Sequence, residues 1–508
     1  MIQQNFLDRL VSVISPAAGL RRLHARTMMN AALERGFDGA SMRSRLSGWR
    51  TPGTGPNTEN RSAMGILRDR SRDLMRNNPW MVKAINTIVT NTIGTGILMQ
   101  PKVTDKKLEK LAQSAWKSWA DSTKCDFDGR GNFSSLQALA LRTCVDSGEA
   151  LVIRRKAPAS MKLPVPFQIQ VIEPDFLDTS KEEFTNGSNE IKQGIEFDSQ
   201  GRRVAYWLYP EHPGEMGLNR FRHNYESKRV PIEDVIHLFR QDRAGQIRGI
   251  PWGHAVIIRL HDLDEFEDAT LMRQKVAACF AGFVRDADPN STPAPGTKAA
   301  ELASKLEPAS LQRLGPGQDM VFANPPGAPG QGEYTTTVLQ GIAAGFLITY
   351  EALTGDYSKV NFSSGRMGHI EMQRNLDNWR WNMFIPQFCG GVWKWFQDGM
   401  AVAINSRLQD ADCIYTAPRR EMIDPTREVP AQRQNVRAGF RSWSETVREN
   451  GDDPAEVARQ MAEDNKLFDK YGLILDSDAR RTNNGGQAQA QPSENSDPAS
   501  NSESGAAS

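Results

Sequence analysis

Residues 251–283 read PWGHAVIIRLHDLDEFEDATLMRQKVAACFAGF. Proline suits the first turn of a helix, so this run predicts one long helix from Pro251 to about Phe283. Residues 262–268 within it carry five carboxylates. Carboxylates can bind a metal ion, but these are spread round the helix and lack a histidine partner. We therefore expect no metal site, and a helix face that is solvated or meets another subunit.

Downstream of this helix the pattern stays mainly helical. Residues 286–332 are rich in proline and glycine, which is typical of a loop. A second helix follows, with an apolar face made of Tyr334, Val338, Ile342 and Phe346. After a polar loop, Thr349–Gly368, a third helix reaches Pro386, which should kink or break it because proline lacks the backbone donor. Further helices follow to about residue 470.

Upstream of Pro251 the pattern combines helices with short strands. Four helical stripes come first; the second has Asn78 as its N-cap, and the fourth opens with a capping box at Ser134 and Gln137. From Leu151 to about Arg240 the apolar period changes to two, which predicts strands. The fold class is therefore α+β and predominantly helical.

Charge and composition limit the function. The chain has 508 residues, with 62 Lys and Arg against 61 Asp and Glu, and a formal net charge of +1. This excludes a globally basic nucleic-acid coat. The five cysteines are widely spaced and form no Cys-x-x-Cys pair, so neither a disulfide scaffold nor a zinc ribbon is indicated. The longest apolar run, Val276 to Val284, is too short to span a bilayer, so we expect a soluble protein made in the cytoplasm.

The two ends of the chain have their own patterns. Residues 1–20 lack the apolar run of a signal peptide. Residues 6–14 predict an amphipathic helix, which could lie on a membrane surface but for which packing on protein is the favoured interpretation. Residues 36–62 indicate an extended arm. Residues 476–508 contain no large apolar side chain, which indicates a disordered tail.

The familiar catalytic motifs are absent from the sequence. It contains no Gly-Lys-Ser/Thr, no His-Glu-x-x-His and no Gly-x-Ser-x-Gly. One loose pattern remains, Pro174-Asp175 followed by Glu190-Ile-Lys192, which fits a PD-(D/E)xK nuclease. Asp175 and Glu190 would hold Mg²⁺, and Lys192 would stabilise charge on the phosphate. Because the pattern is short, a turn and a surface charge pair are the favoured interpretation, and the nuclease is an alternative function.

Several longer motifs occur together. Val230-Pro-x-x-Asp-Val-Ile-His-Leu-Phe239 is followed by Asp242-Arg-x-Gly-Gln-x-Arg-Gly-x-Pro-Trp252. Asn77-Asn-Pro-Trp80 and Ser147-Gly-Glu-Ala150 precede them, and Tyr350-Glu-x-Leu-Thr-Gly-Asp356 follows. From about Gly36 to Leu475 the chain, by the number and order of these motifs, resembles the lambda-type phage portal proteins.

The resemblance implies a structural role without catalysis or cofactor. It implies a ring of identical subunits, usually twelve, at one capsid vertex, through which double-stranded DNA passes independently of its sequence. The implied partners are the terminase large subunit, the capsid and scaffold proteins and a head-completion or connector protein, with no membrane. The implied location is the virion, with assembly in the host cytoplasm. A near-neutral chain with acidic helices fits such a channel wall because it repels phosphates.

The resemblance also divides the chain into segments. They are an amino-terminal helix and arm (1–61), an α+β wing (62–250), a first stem helix (251–283), a clip (284–330), a second stem helix (331–347), a tunnel loop (348–366), a kinked channel helix (367–399), a helical crown (400–475) and a tail (476–508).

Two groups of residues are the candidate site. In the tunnel loop, the side chains expected to meet DNA phosphates, or equally the loop of a neighbouring subunit, are Tyr357, Lys359, Asn361 and Arg366. Before the first stem helix, two arginines are expected to pair with acids of a neighbouring subunit. The arginines are Arg243 and Arg248, and the acids are Asp262, Asp264 and Glu265.

Overall fold

The computed structural model describes residues 15, 16, 18, 51, 53–184, 189–215, 226–278, 282–286, 318–322, 330–475, 478 and 480. The chain forms two compact units, Met1–Glu59 and Asn60–Ser508. The predicted helix at residues 6–14, most of the arm and most of the predicted clip and tail lie outside the described residues. Among the described residues, no helix combines the length and apolar content needed to cross a membrane.

Helices dominate the described chain, as expected. They are α1 (Pro56–Asn77), α2 (Pro79–Ile93), α3 (Lys106–Ala120), α4 (Phe133–Ser147), α5 (Ile257–Ala278), α6 (Gln331–Phe346), α7 (Tyr350–Thr354), α8 (Phe362–Trp379), α9 (Gly390–Ala403), α10 (Pro425–Arg437), α11 (Trp443–Glu449) and α12 (Pro454–Tyr471). The strands are β1 (Leu98–Lys102), β2 (Glu149–Lys156), β3 (Phe167–Ile172), β4 (Glu190–Lys192), β5 (Ile195–Phe197), β6 (Arg203–Leu208), β7 (Lys228–Pro231), β8 (Val235–Phe239), β9 (Gly282–Asp286), β10 (Gln318–Phe322) and β11 (Asp412–Thr416).

Local capping decides where the first helices begin. Asn78 caps α2 by accepting from the backbone N–H of Met81 at 2.9 Å, as predicted. The capping box predicted at Ser134 and Gln137 is wrong, because Asn132 caps α4. Gln137 instead points into the core, where it bonds both the N–H and the carbonyl of Ile97.

Two antiparallel sheets form the strand-rich part. One has the strand order β3-β2-β8 and the other β4-β5-β6-β7. They enclose a small core to which β2 contributes Leu151 and Ile153. The alternate residues Ala150 and Val152 belong to the large core that β2 shares with the helices. Because successive side chains of a strand point to opposite faces, β2 is covered on both sides and joins the two cores.

The two halves of the predicted stem end differently. The helix expected over residues 251–283 is α5, preceded by a 3₁₀ turn at Trp252–Ala255. The chain leaves α5 at Ala278 and forms β9, which pairs antiparallel with β10. Gly282 lies where the helix was expected to continue, and glycine is a poor helix former. The second helix, α6, agrees with its predicted bounds closely.

Pro386 does not break the third helix. The chain runs from α8 through π-helical turns at Arg380–Cys389 into α9, with Pro386 inside the π-helical segment. The wider turn accommodates a residue that cannot donate the usual backbone hydrogen bond. Arg380 of this segment is buried and donates to the carbonyls of Thr92 and Asn91 at 2.8 and 2.7 Å. It thereby satisfies the free carbonyls at the end of α2.

The carboxyl-terminal part is not purely helical. β11 pairs antiparallel with β1, although more than 300 residues separate them in the sequence. The helical crown predicted over residues 400–475 therefore contains a strand that binds it to the first part of the chain. α12 follows, with Asp453 as N-cap and Pro454 in its first turn, as predicted.

Candidate functional site

A buried carboxylate lies where α1, β2, β8 and the segment before α5 meet. Glu149 accepts from Nε of Arg248 at 2.9 Å, from the backbone N–H of Gly249 at 3.0 Å and from Arg68 at 3.3 Å. Nε2 of His237 lies 2.8 Å from Oε2 of Glu149, the oxygen that also accepts from Gly249, whereas Arg68 donates to Oε1. Since Glu149 and its partners come from four separate segments, this ionic cluster ties those segments together.

Protonation in the ionic cluster follows from its contacts. Burial opposes the charged form of Glu149, but Arg248 and His237 outweigh it and hold the pKa of Glu149 well below its ordinary value. Burial lowers the pKa of His237 to about 4. Arg203 can only donate, and it lies 3.2 Å from Nδ1 of His237. The ring proton therefore lies on Nε2, which donates to Glu149.

The residues of the nuclease pattern are held by other partners. Asp175 accepts from Arg72 at 2.6 Å and from Arg68 at 3.2 Å. Burial raises the pKa of Asp175, but the two arginines outweigh burial and lower it. Glu190 pairs with Lys192 at 2.7 Å, and both side chains are partly exposed to solvent. Guanidinium groups thus lie where the nuclease would require Mg²⁺, and nothing in the described residues favours that alternative.

Asp175 also lies in a group that includes Glu173 and His212, whose ligand atoms are all within 4.8 Å of one another. Arg72 contacts both carboxylates, at 2.6 and 3.0 Å. The backbone N–H of Gly214 donates to Nδ1 of His212 at 3.0 Å, so the neutral ring carries its proton on Nε2. Nε2 is the nitrogen that faces Glu173, at 3.1 Å. A metal ion would need a lone pair on Nε2, and the proton lies there instead. We therefore assign these side chains to ion pairs and hydrogen bonds with Arg72 and one another, and not to a metal site.

A second such group lies on α5. His261 is 3.7 Å from Glu265, with Asp262 beside them. The expectation that these acids lack a histidine partner was therefore wrong. All three side chains are exposed, where water and salt compete for them. We assign no metal there.

The predicted tunnel loop is shorter than expected, because α7 and the start of α8 occupy its two ends. Thr349 caps α7 and Gly355 ends it in a left-handed conformation with φ 76°. Asn361 and Ser364 form a capping box that opens α8. Residues 355–361 are therefore held at both ends by backbone hydrogen bonds. We call this segment the braced loop.

The four candidate residues of the loop do not lie in equivalent surroundings. Tyr357 is 64% exposed and Lys359 is exposed, both in the braced loop. The Asn361 side chain accepts from the backbone N–H of Ser364, so its contact is local. Arg366 lies one turn into α8, 3.8 Å from Glu428 of α10. It lines a cleft of about 780 Å³ between α8 and the carboxyl-terminal helices.

Of the residues expected to lie between subunits, some make contacts within their own subunit and others are exposed. Arg248 is 1% exposed and binds Glu149 of its own subunit, so it is not available to a neighbour. The expectation that Arg248 pairs with acids of a neighbouring subunit is therefore wrong. Asp264 accepts from the side chain of Asn78 within the subunit at 2.8 and 2.9 Å. Arg243, Asp262 and Glu265 are exposed.

The model of one protein family, the phage portal proteins of the lambda family, matches residues 42–380. The chain belongs to this family. The match confirms the resemblance and the portal function it implied. Portal proteins of this family are structural components of the phage particle. Among the residues that the structure describes here, Asp175, Glu190 and Lys192 do not form a complete nuclease site.

Individual relatives agree with the family. The portal protein is 27% identical over 428 residues to a probable portal protein of Halomonas phage phiHAP-1, covering 80% of this chain and 81% of the relative. It is 21% identical over 441 residues to portal protein B of Escherichia phage lambda, covering 77% of this chain and 82% of the relative. The neck of a native gene transfer agent particle, solved with C12 symmetry, gives a TM-score of 0.43 and 15% identity, over 79% of this chain and 96% of the other.

Sequence reasoning missed the ionic cluster of this portal protein. The signal was present, because two quoted motifs contain Glu149 and Arg248, and a third contains His237. Spacing alone does not pair residues about a hundred positions apart. These three motifs therefore meet at a structural junction within the subunit.

Proposed function

We propose that this portal protein assembles with copies of itself, twelve in number, into a closed ring that conducts double-stranded DNA at one capsid vertex. The observation that carries the proposal is the braced loop. It offers Tyr357 and Lys359 to solvent while caps fix both of its ends. A DNA channel needs a rigid rim with few cations, because many phosphate contacts would hold the DNA in place.

The proposed partners follow the resemblance. The terminase large subunit and later a connector protein dock on the clip segment, residues 284–330. Capsid and scaffold proteins surround the ring during assembly in the host cytoplasm, and the mature ring lies in the virion. The division into wing, stem, clip, tunnel loop and crown is proposed on the same basis.

Contacts between subunits are proposed for the exposed face of α5. Asp262 and Glu265 would meet Arg243 of a neighbouring subunit, without Arg248. Charge crowding on this helix supports a cationic partner: burial, together with Asp264 and Asp268, raises the pKa of Glu267. Reversing Arg243 to Glu should weaken the ring, and the Asp262→Lys change in the same chain should restore it.

The first test is the ring. Native mass spectrometry and negative-stain images of the purified protein should give a closed ring with a central hole and about twelve copies. A monomer that stays a monomer at high concentration and with scaffold protein present would overturn the proposal.

The second test separates the two roles of the braced loop. Lys359→Glu should lower the length of DNA packaged per particle while the ring mass stays unchanged, because it adds repulsion to phosphates. Ser358→Ala, in the same loop, is the matched control. If Lys359→Glu instead dissociates rings and spares packaging in those that remain, the lysine bonds a neighbouring loop.

A further inference from the structure

The last helices of the described chain bury very few side chains. Of residues 419–475, only Val447 and Pro454 are buried. By contrast, six of the fourteen residues of α9 are buried. Within the described part of the chain, neither hydrophobic core extends beyond Tyr415. Residues 419–475, which we call the terminal segment, are therefore stabilised little by apolar burial.

The helices of the terminal segment are also weak by themselves. α10 has 13 residues with Pro430 inside it, and α11 has seven. Isolated helices shorter than about 12–15 residues are marginal in water, and an internal proline removes a backbone hydrogen bond. Because most helical stability in proteins comes from packing, the terminal segment opens at lower cost than the buried helices that precede it.

Charge bridges the terminal segment to α8. Arg420 pairs with Asp377 of α8, and Arg366 of α8 lies 3.8 Å from Glu428 of α10. The four side chains are 28% to 53% exposed. They line the cleft of about 780 Å³ between α8 and the carboxyl-terminal helices, whose lining contains five arginines and five carboxylates. Exposed ion pairs contribute little and are weakened by salt, so this bridge is both weak and sensitive to ionic strength.

The apolar side chains in the same cleft do not close it. On the side of α8 and the π-helical turns, Ile370 and Trp381 are 40% and 44% exposed. On the other side, Ile423 is 39% exposed. A packed interface would bury side chains of this size. The cleft therefore separates the terminal segment from the rest of the subunit instead of joining the two.

The boundary of the terminal segment lies between Pro418 and Arg419. Pro418 is buried at the end of α2, where a Cβ on Gly94 would lie 2.9 Å from the Cβ of Pro418. Arg419 is exposed, and a Cβ on Gly451 would lie 2.7 Å from its backbone nitrogen. Arg419 thus packs with the helices that follow it. A further contact with the subunit lies at the start of α12, where Asp453 meets β1 and α3.

We infer that the terminal segment is a lid on α8: ion pairs across the cleft hold it closed, and it opens at Pro418 and Arg419 when salt screens them. Opening frees the cleft and the side chains of Ile370 and Trp381, while the two hydrophobic cores stay intact. The inference concerns a single subunit and does not depend on the proposed ring.

Hydrogen exchange measures the opening directly. The full-length chain, diluted until native mass spectrometry shows a monomer, is exchanged in low salt and in about 1 M sodium chloride, where charges more than about 3 Å apart are screened. Amides of α11 should exchange much faster than those of α9 in low salt, and about fivefold faster again in high salt. Exchange in α9 should not change, because its side chains belong to the large core.

Matched variants separate the pairs that cross the cleft from the pairs within helices. Arg366→Gln combined with Arg420→Gln removes both bridging pairs. In low salt it should give the fast exchange of α11 that the unaltered chain shows in high salt. Arg76→Gln combined with Arg202→Gln also removes two positive charges, from exposed pairs on α1 and in the β5–β6 turn, and should leave α11 unchanged.

The outcomes are distinct. Exchange of α11 as slow as that of α9, or unaffected by salt or by the bridging variant, would overturn the inference. A rise in α9 that matches the rise in α11 would also overturn it, because the whole subunit would then be opening. Selective, salt-dependent exchange of α11 that the bridging variant reproduces is the result that the lid requires.

Discussion

Replacing Glu149 by glutamine should be among the most damaging single changes in this portal protein. Glutamine keeps the shape but removes the charge that Arg248 and Arg68 share, at 2.9 and 3.3 Å. Both guanidinium groups are buried, so water cannot replace the carboxylate. Breaking a buried ionic contact by removing one partner costs about 3–5 kcal/mol of folding stability.

The matched control is Glu190→Gln. Glu190 pairs with Lys192 at 2.7 Å, with side chains 39% and 50% exposed. Exposed pairs of this kind contribute about 0–1 kcal/mol. Both changes remove one negative charge from the same part of the chain, so the difference between them isolates burial.

Urea unfolding at pH 7, followed by tryptophan fluorescence on dilute monomeric protein, measures both variants against the unaltered chain. We expect a clear fall of the midpoint for Glu149→Gln at unchanged slope, and almost none for Glu190→Gln. A Glu149→Gln protein within about 1 kcal/mol of the unaltered chain would refute the reasoning. It would mean that the two buried arginines find other partners at little cost.

Three further outcomes follow from the same structure. Burial lowers the pKa of His237 from 6.5 to about 4. As the pH falls through this range, His237 takes up a proton in the unfolded chain before it does so in the folded one, so folding stability decreases. His237→Gln should reduce that decrease by about 3 kcal/mol, as measured by urea unfolding at a series of pH values. Gly148→Ala should prevent stable folding, since its Cβ would lie 2.4 Å from the backbone of Ile250 and φ is +90°. Gly129→Ala, which has open space around it at φ +68°, should cost only backbone strain. Thermal unfolding of the two variants measures the difference. Burial raises the pKa of Cys144 to about 12, so iodoacetamide at pH 8 should label it only in urea, and rapid labelling of the native protein would contradict its burial.

Local patterns were sufficient for much of the fold. The N-cap at Asn78 and the proline after it start α2 where the sequence predicts. Apolar residues alternate with glutamines along β3, and this sequence pattern locates the strand, although its burial does not alternate; β8 is buried throughout. These features depend on residues within a few positions of one another, so a single sequence contains them.

Other features depend on residues that are distant in the chain. The strand β11 is short, and only its pairing with β1 makes it a strand. Gln137 resembles a capping residue until the fold brings Ile97 against it. Pro386 predicts a kink or a break; the structure has no break, because the chain passes Pro386 in wider, π-helical turns.

The candidate site also has features that local sequence determines and features that depend on distant residues. The sequence by itself determined the helical order, the near-neutral charge and the motifs that identify a portal protein, since these are properties of composition and local spacing. Only the tertiary structure decided that Arg248 belongs to Glu149 rather than to a neighbouring subunit. It also decided that Tyr357 and Lys359 stay exposed and that the end of α12 lies uncovered. Burial and charge pairing are relations between distant segments, and a buried charge takes whichever opposite charge the fold brings to it.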